Sequence, residues 1–235
     1  MTGLVYKEWK QNRWYILSMI VCGFAPLIAL LIMRDEITDI GDAPIRIGGL
    51  IAGFLAAGTL QMLVLRGDDR KLWGYWITAT ADGYKGFLRV KYEMIFGMIV
   101  LFMFSVQLVD MCCIAVAADM GTADAMQISS IALPLCFVQI LLRAFDIPFV
   151  YRFGSKKGSF VKLICLISLT IFLLAVLFLN AKSFDKIMEL CKKVINVQNS
   201  SLLLSVGFVV CLALYYLSYR ITCRVYLKGV EQYDH

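Results

Sequence analysis

Residues Arg66–Glu93 read RGDDRKLWGYWITATADGYKGFLRVKYE. Among the polar intervals of the chain this is the long one that is both strongly basic and crowded with aromatics. On either side lie apolar runs of membrane-spanning length. In lipid a span must satisfy its own backbone hydrogen bonds, so runs of this length read as transmembrane helices. The fold class that follows is an all-α integral membrane protein.

Composition agrees. The 235 residues are 60% hydrophobic and only 17% charged, with mean hydropathy +0.77. Soluble domains run nearer half apolar and a quarter charged. No polar block is long enough for a core of its own, so 1–235 is expected to be a single domain. Eight cysteines fall almost entirely in apolar runs without a CxxC pair. They read as small buried hydrophobes, not as a disulfide framework or zinc site. The net charge of +6 points to no nucleic acid, because in a membrane protein the distribution of charge matters more than its sum.

Working outward, the chain opens with MTGLVYKEWKQNR. Trp9 and Trp14 suit the headgroup level, and two readings stay open. One is a short interfacial helix, whose apolar face Glu8 interrupts; the other is a solvated positive flank that orients the first span. Trp14–Met33 is twenty residues without a charge, about 30 Å of helix. It is too long for a signal-peptide core, and no small-residue cleavage site follows, so it is expected to be retained. The second span is expected over about Ile47–Leu65, where Gly49, Gly53 and Ala57 form a small-xxx-small ridge for a close helix neighbour. Further spans are expected over about 94–117, 127–151, 160–179 and 202–219. Between the last two, Phe184, Ile187, Met188, Cys191 and Val194 recur at helical spacing, an amphipathic surface helix over Ser183–Val194. Arg220, Arg224 and Lys228 form a basic stripe for lipid headgroups beyond the sixth span.

Six spans put both termini on one side. Of the 23 Lys and Arg, 17 fall on the side of the termini and of Arg66–Glu93, and 6 on the other. The positive-inside rule therefore places both termini and the basic loop in the cytoplasm.

Chemistry is mostly excluded. There is no P-loop and no G-x-S-x-G, and the only histidine is His235, which rules out His-dependent triads and HExxH sites. The chain is expected to be no enzyme. Asp110 is the one acid well inside a span, a default marker of a pathway. With Gln107 one turn earlier it either lines an outward-facing cavity, part of a translocation path, or is an acid held by headgroups or a neighbouring helix. Arg143 and Asp146, three apart, read as an intrahelical pair near the cytoplasmic boundary.

Within the basic loop, Leu72, Trp73, Trp76 and Ile77 share one helical face. Asp82 can cap the helix that runs on into the third span. The alternative is an aromatic belt with positive-inside charges. About 28 residues is, however, far more than a turn between two spans requires.

Over essentially its full length the chain resembles the small ABC-2-type permeases, the membrane subunits of ATP-binding-cassette exporters. The residues that carry the likeness are LVYKEWKQNRW, DDRKLWGYW with FLRVKYE, LPLCFVQILLRAFDIPFVYRFGSKKG, and the six-span layout. In look the chain is most similar to membrane subunits of Gram-positive exporters of phenol-soluble modulins, and to related bacitracin- or lantibiotic-type immunity permeases. The resemblance implies a bacterial multi-pass membrane permease with no cofactor of its own, ATP and Mg²⁺ being bound by a partner ABC ATPase. It also implies a second permease, identical or a close paralogue, and a cargo that is an amphipathic peptide or lipid-like. The loop between spans 2 and 3 would hold the coupling helix that docks on the ATPase. That role maps onto Asp69, Arg70, Leu72, Trp73, Tyr75, Trp76 and Ile77, and onto Tyr151, Arg152 and Lys156 in the second turn. The family often carries a Leu-Pro-like turn before the third span; Ala79–Gly83 has no proline. A self-contained channel or secondary transporter would call for more intramembrane charge or paired broken helices, and a membrane scaffold is a further alternative.

Overall fold

The computed structural model describes residues 2–33, 42–66, 76–79, 82–119, 129–154, 157–158, 160–165, 167–168 and 200–230. The described residues form six main helices: α1 (Thr2–Gly23), α2 (Ala25–Ile32), α3 (Asp42–Arg66), α4 (Gly83–Asp119), α5 (Ser129–Phe153) and α6 (Ser200–Val230). Among them α3, α4, α5 and α6 are each long and apolar enough to cross a membrane, and α1 with α2 makes a fifth if the bent pair counts as one span. Residues 160–165 and 167–168 are helical. The remainder of the span expected over 160–179, and the amphipathic helix expected over Ser183–Val194, lie outside the described residues.

The described helices differ in their bounds from the expected spans at three places. The first span is broken: α1 and α2 meet at 51°, with Phe24 between them and Pro26 near the start of α2. Proline has no N–H to give to the carbonyl four residues back, Cys22, and its ring crowds that position, so the helix bends there. Residues 2–13 of the N-terminal flank are the first turns of α1 and run on without a break into the first span. The second span starts earlier than Ile47. Asp42-Ala43-Pro44 opens α3, a short polar residue and a proline at the positions that helix starts favour, so Arg46 lies within the helix and is buried.

The small-residue ridge of α3 receives the bend. A methyl group on Gly49 would stand 2.7 Å from the Pro26 Cα, and one on Gly53 would collide with the Cys22 carbonyl oxygen. The carbonyl freed by Pro26 therefore sits against a glycine, where no side chain keeps the helices apart. Ala57 continues the ridge and is fully buried.

The Gly83–Glu93 lead-in is continuous with the third span. Gly83 has φ +58°, a left-handed conformation open to glycine at little cost, so the turn into α4 is made without proline. The Asp82 carbonyl accepts the Gly86 N–H at 3.1 Å, the geometry of an N-cap position. At 37 residues α4 is about 55 Å long and outreaches the hydrocarbon core. Likewise α6 carries straight on through Arg220, Arg224 and Lys228, all three exposed.

Candidate coupling site at the loop end

The connection from Arg66 to Gly83 leaves and returns at one end of the bundle. There the start of α1, the start of α4 and the ends of α3, α5 and α6 come together around aromatic rings. Tyr84 stacks on Tyr226 with centroids 5.7 Å apart. Phe87 meets Tyr151 edge-on at 6.3 Å and Tyr226 at 6.3 Å, and Tyr151 meets Tyr226 at 5.6 Å. Such pairs each add about 0.5–1.5 kcal/mol beyond their buried area. Tyr84, Phe87 and Lys91 follow one another at i, i+3 and i+7, so a single stripe of α4 presents all three.

A buried ionic network lies beside these rings. Lys91 Nζ is 2.6 Å from Glu8 Oε2, and the two side chains are 0% and 1% exposed. Lys7 holds the other Glu8 oxygen at 2.6 Å, and Asn12 Nδ2 donates to Glu8 Oε2 at 3.1 Å. Lys91 also donates to the Val64 carbonyl at 3.4 Å. The ammonium groups of Lys91 and Lys7 stand 5.6 Å and 5.8 Å from the Phe87 ring centre, within cation–π range. One lysine of α4 thus touches α1 through Glu8 and α3 through Val64. A buried charge needs this many partners to offset its desolvation.

The next residue, Tyr92, ties α4 to α6. Its hydroxyl lies 2.8 Å from Ser218 Oγ and 2.7 Å from Thr222 Oγ1, and its carbonyl accepts from the Tyr215 hydroxyl at 2.9 Å. Ser218 Oγ donates in turn to the Ala144 carbonyl of α5. Farther along α5, the Asp146 carboxylate makes two ion pairs, Oδ2 lying 2.9 Å from Arg143 Nη1 and Oδ1 2.7 Å from Lys162 Nζ. The intrahelical pair expected from the spacing is thereby present, with a second cation added.

Within the connection, residues 76–78 form a helical turn. Ile77 is fully buried in the same apolar cluster as Leu65, Phe87 and Leu88, whereas Trp76 is 56% exposed. The turn is therefore pinned to the bundle by one side chain and shows the other outward. The other expected coupling residues divide. Tyr151 is interior, inside the aromatic cluster. Arg152 is half-buried, its guanidinium 5.7 Å from the Phe153 ring centre. Asp69, Arg70, Leu72, Trp73, Tyr75 and Lys156 lie outside the described residues.

The two residues expected on a path are not brought together. Asp110 is buried and takes Arg46 Nη2 on Oδ1 at 2.7 Å. Gln107 is exposed, on an apolar groove shared with Phe104, Phe137, Leu204 and Phe208. Sequence reasoning noted Glu8 only as an interruption of an apolar face and gave no role to Tyr92 or Tyr226. For Glu8 the available signal is its oddity, one acid in a flank otherwise basic and apolar; its partner is 83 residues away.

The geometry defines a multi-pass, all-helical membrane protein with an aromatic and ionic platform beneath one connection. The sequence profile of the ABC-2 family transporter proteins matches residues 84–227, from the first turn of α4 to the last of α6, and the chain belongs to that family. It is thus a permease-type membrane subunit of an ABC transporter, a class that works with an ABC ATPase and is itself typically non-catalytic. Comparison with curated proteins and with solved structures gave no match.

Proposed function

We propose that this chain is the membrane subunit of an ATP-driven exporter and that a separate ABC ATPase drives it through the Arg66–Gly83 connection. The observation that carries this reading is the pinned turn at 76–78. Ile77 is sunk among residues of α3 and α4, while Trp76 faces outward. A push on Trp76 would pass through Ile77 to Phe87 and Leu88, and through Lys91 to α1 and α3. Asp69–Ala81 would supply the docking helix, with Trp73 and Trp76 as its principal contacts and Arg152 beside them. Ile77 and Tyr151 would transmit force from inside.

In this reading the platform end is cytoplasmic, as the distribution of Lys and Arg favours. The bilayer is a bacterial cell membrane, and the exporter is built from two permeases, identical or closely related, with two ATPases that bind ATP and Mg²⁺. The cargo is an amphipathic peptide or lipid-like molecule; resemblance supports that class, together with the apolar character of the helix faces.

The test is co-purification of the chain with the ATPase encoded beside it, comparing wild type with Trp73→Ala/Trp76→Ala. Loss of at least about tenfold in association is expected, because aromatic anchors dominate such interfaces. Equal recovery of ATPase and equal ATP hydrolysis in both would sink the docking reading. Absence of an ATPase gene beside this one would undercut the exporter itself.

A further inference from the structure

The exposed ridge of α4 carries an ion pair where its apolar run begins. Lys85, Arg89, Glu93 and Gly97 recur every fourth residue and are all exposed, so they share one stripe of the helix. Arg89 Nε lies 2.8 Å from Glu93 Oε1, with side chains 61% and 58% exposed. The charge-free run of α4 starts at the next residue, Met94, and that of α6 ends at Tyr219, just before Arg220. The Tyr92 hydroxyl, held by Ser218 and Thr222, sets those two boundaries side by side. Arg89 and Glu93 therefore stand at the level of lipid headgroups.

From this pair a groove runs inward on either flank of the ridge. Toward α6 lies one of about 490 Å³, walled by Arg89, Glu93, Phe96, Leu212, Tyr216 and Tyr219. Toward α1 lies one of about 410 Å³, walled by Trp9, Ile16, Met94, Gly97 and Leu101, with Glu93 again at its edge. Glu93 thus borders both. At Gly97 the ridge between them dips. Among the described residues, no side chain beyond its immediate neighbours and no other helix comes within 4 Å of where a methyl on Gly97 would stand. Trp9 and Tyr216, 58% and 60% exposed, flank the two grooves as amphipathic rings do at a membrane surface.

We propose that the Arg89–Glu93 pair and its two grooves bind one diacyl phospholipid whose headgroup carries both a phosphate and an ammonium, with an acyl chain on either flank of α4. The shape selects two chains, because two apolar grooves leave one polar point on opposite sides of one helix. The notch at Gly97 gives the chain on the α1 side room to pass. The charges select the headgroup. Arg89 and Glu93 neutralise each other, so a headgroup of one sign is attracted by one and repelled by the other. A phosphate joined to an ammonium gives each of them a charge-assisted hydrogen bond. Opening the pair to admit it costs little, since both side chains are exposed and water already screens them.

The test uses the purified full-length chain in detergent, titrated with phosphatidylethanolamine. Binding is read at the site, as the yield of lipid adduct from benzoylphenylalanine placed at Tyr216, by mass spectrometry of the intact chain. Phosphatidylglycerol, which has the phosphate without the ammonium, should bind about tenfold more weakly, and so should lysophosphatidylethanolamine, which has one chain. Arg89→Gln/Glu93→Gln should weaken phosphatidylethanolamine binding to a similar degree. Gly97→Leu fills the notch with a better helix former than glycine, so its unfolding midpoint in lipid-free detergent should not fall while its lipid affinity does.

Absence of any adduct at Tyr216 would overturn the site. Equal affinity for phosphatidylglycerol, or unchanged affinity in the double glutamine variant, would overturn recognition by the ion pair. Lysophosphatidylethanolamine or Gly97→Leu matching the wild-type affinity for the diacyl lipid would overturn the seating across α4. The titration needs no ATPase, so its outcome is independent of the exporter reading.

Discussion

The two ends of α4 are built on the same chemistry and used differently. Lys91 near its start and Asp110 farther along are nineteen residues apart, roughly 28 Å of helix, and each makes a buried ion pair. At the loop end the partner is Glu8 of α1, and Lys7, Asn12 and the Val64 carbonyl share the charges. At the far end the partner is Arg46 of α3. By helical spacing the far pair lies next to Leu50 and Val106, both buried and apolar. One pair belongs to a network that reaches the surface through the partly exposed Lys7; the other stands between two helices in the interior. The difference assigns them separate tasks. The far pair fixes α3 to α4, so the two helices flanking the basic connection act as one hairpin. The near pair carries whatever reaches that hairpin on to α1.

The largest expected effect is at the far end. Asp110→Ala removes the carboxylate that lies 2.7 Å from the fully buried Arg46 guanidinium, and removing one partner of a buried pair costs about 3–5 kcal/mol. Thermal unfolding in detergent, followed by tryptophan fluorescence, should show a clear drop in midpoint. Arg46→Leu/Asp110→Leu should recover most of it, because apolar residues often replace a buried pair at little cost. If the double variant is as damaged as the single, the pair is more than a clamp.

Lys91→Met comes second. Glu8 keeps Lys7 and Asn12 as partners, so the loss should sit at the low end of that range, about 3 kcal/mol. The exchange Glu8→Lys/Lys91→Glu restores opposite charges and should regain part of the midpoint. A Lys91→Met midpoint lower than that of Asp110→Ala would reverse the ranking of the two ends.

Much of this bundle is legible in the sequence, for reasons that separate its local features from its pairings. Apolar length marks the spans, and a four-residue repeat of small side chains marks Gly49, Gly53 and Ala57 as a close-packing ridge. Those are properties of one helix and show in one stretch of residues. Proline at 26 and the Asp-Ala-Pro start at 42 are local too, and weigh as much as hydropathy: they place the bend in the first span and Arg46 inside α3. The pairing of Glu8 with Lys91 lies between elements 83 residues apart, and helical spacing says nothing about which faces meet. Asp110 shows the same limit. Its place in an apolar run signals that something must offset its charge, but not whether that is a cargo, water or the arginine on the next helix. The exposed Trp76 and buried Ile77 share a stripe in sequence, and only the packing shows which of them turns inward.

The smallest expected effect isolates burial as the cause of the other two. Arg89 and Glu93 form an ion pair at 2.8 Å, one turn apart on α4, with side chains 61% and 58% exposed. Lys91 lies between them in sequence and makes a pair of nearly equal length at 2.6 Å, fully buried. Distance is thus almost held constant while exposure falls from more than half to none. Exposed pairs gain little, because water screens the charges and ordering two long side chains offsets what remains. Arg89→Ala should therefore leave the unfolding midpoint where it is. A drop comparable to that of Lys91→Met would mean that position on α4, near the platform, sets the cost of losing a charge. In that case the contrast between the two ends would have to be redrawn around the aromatic cluster, with Phe87 as its centre.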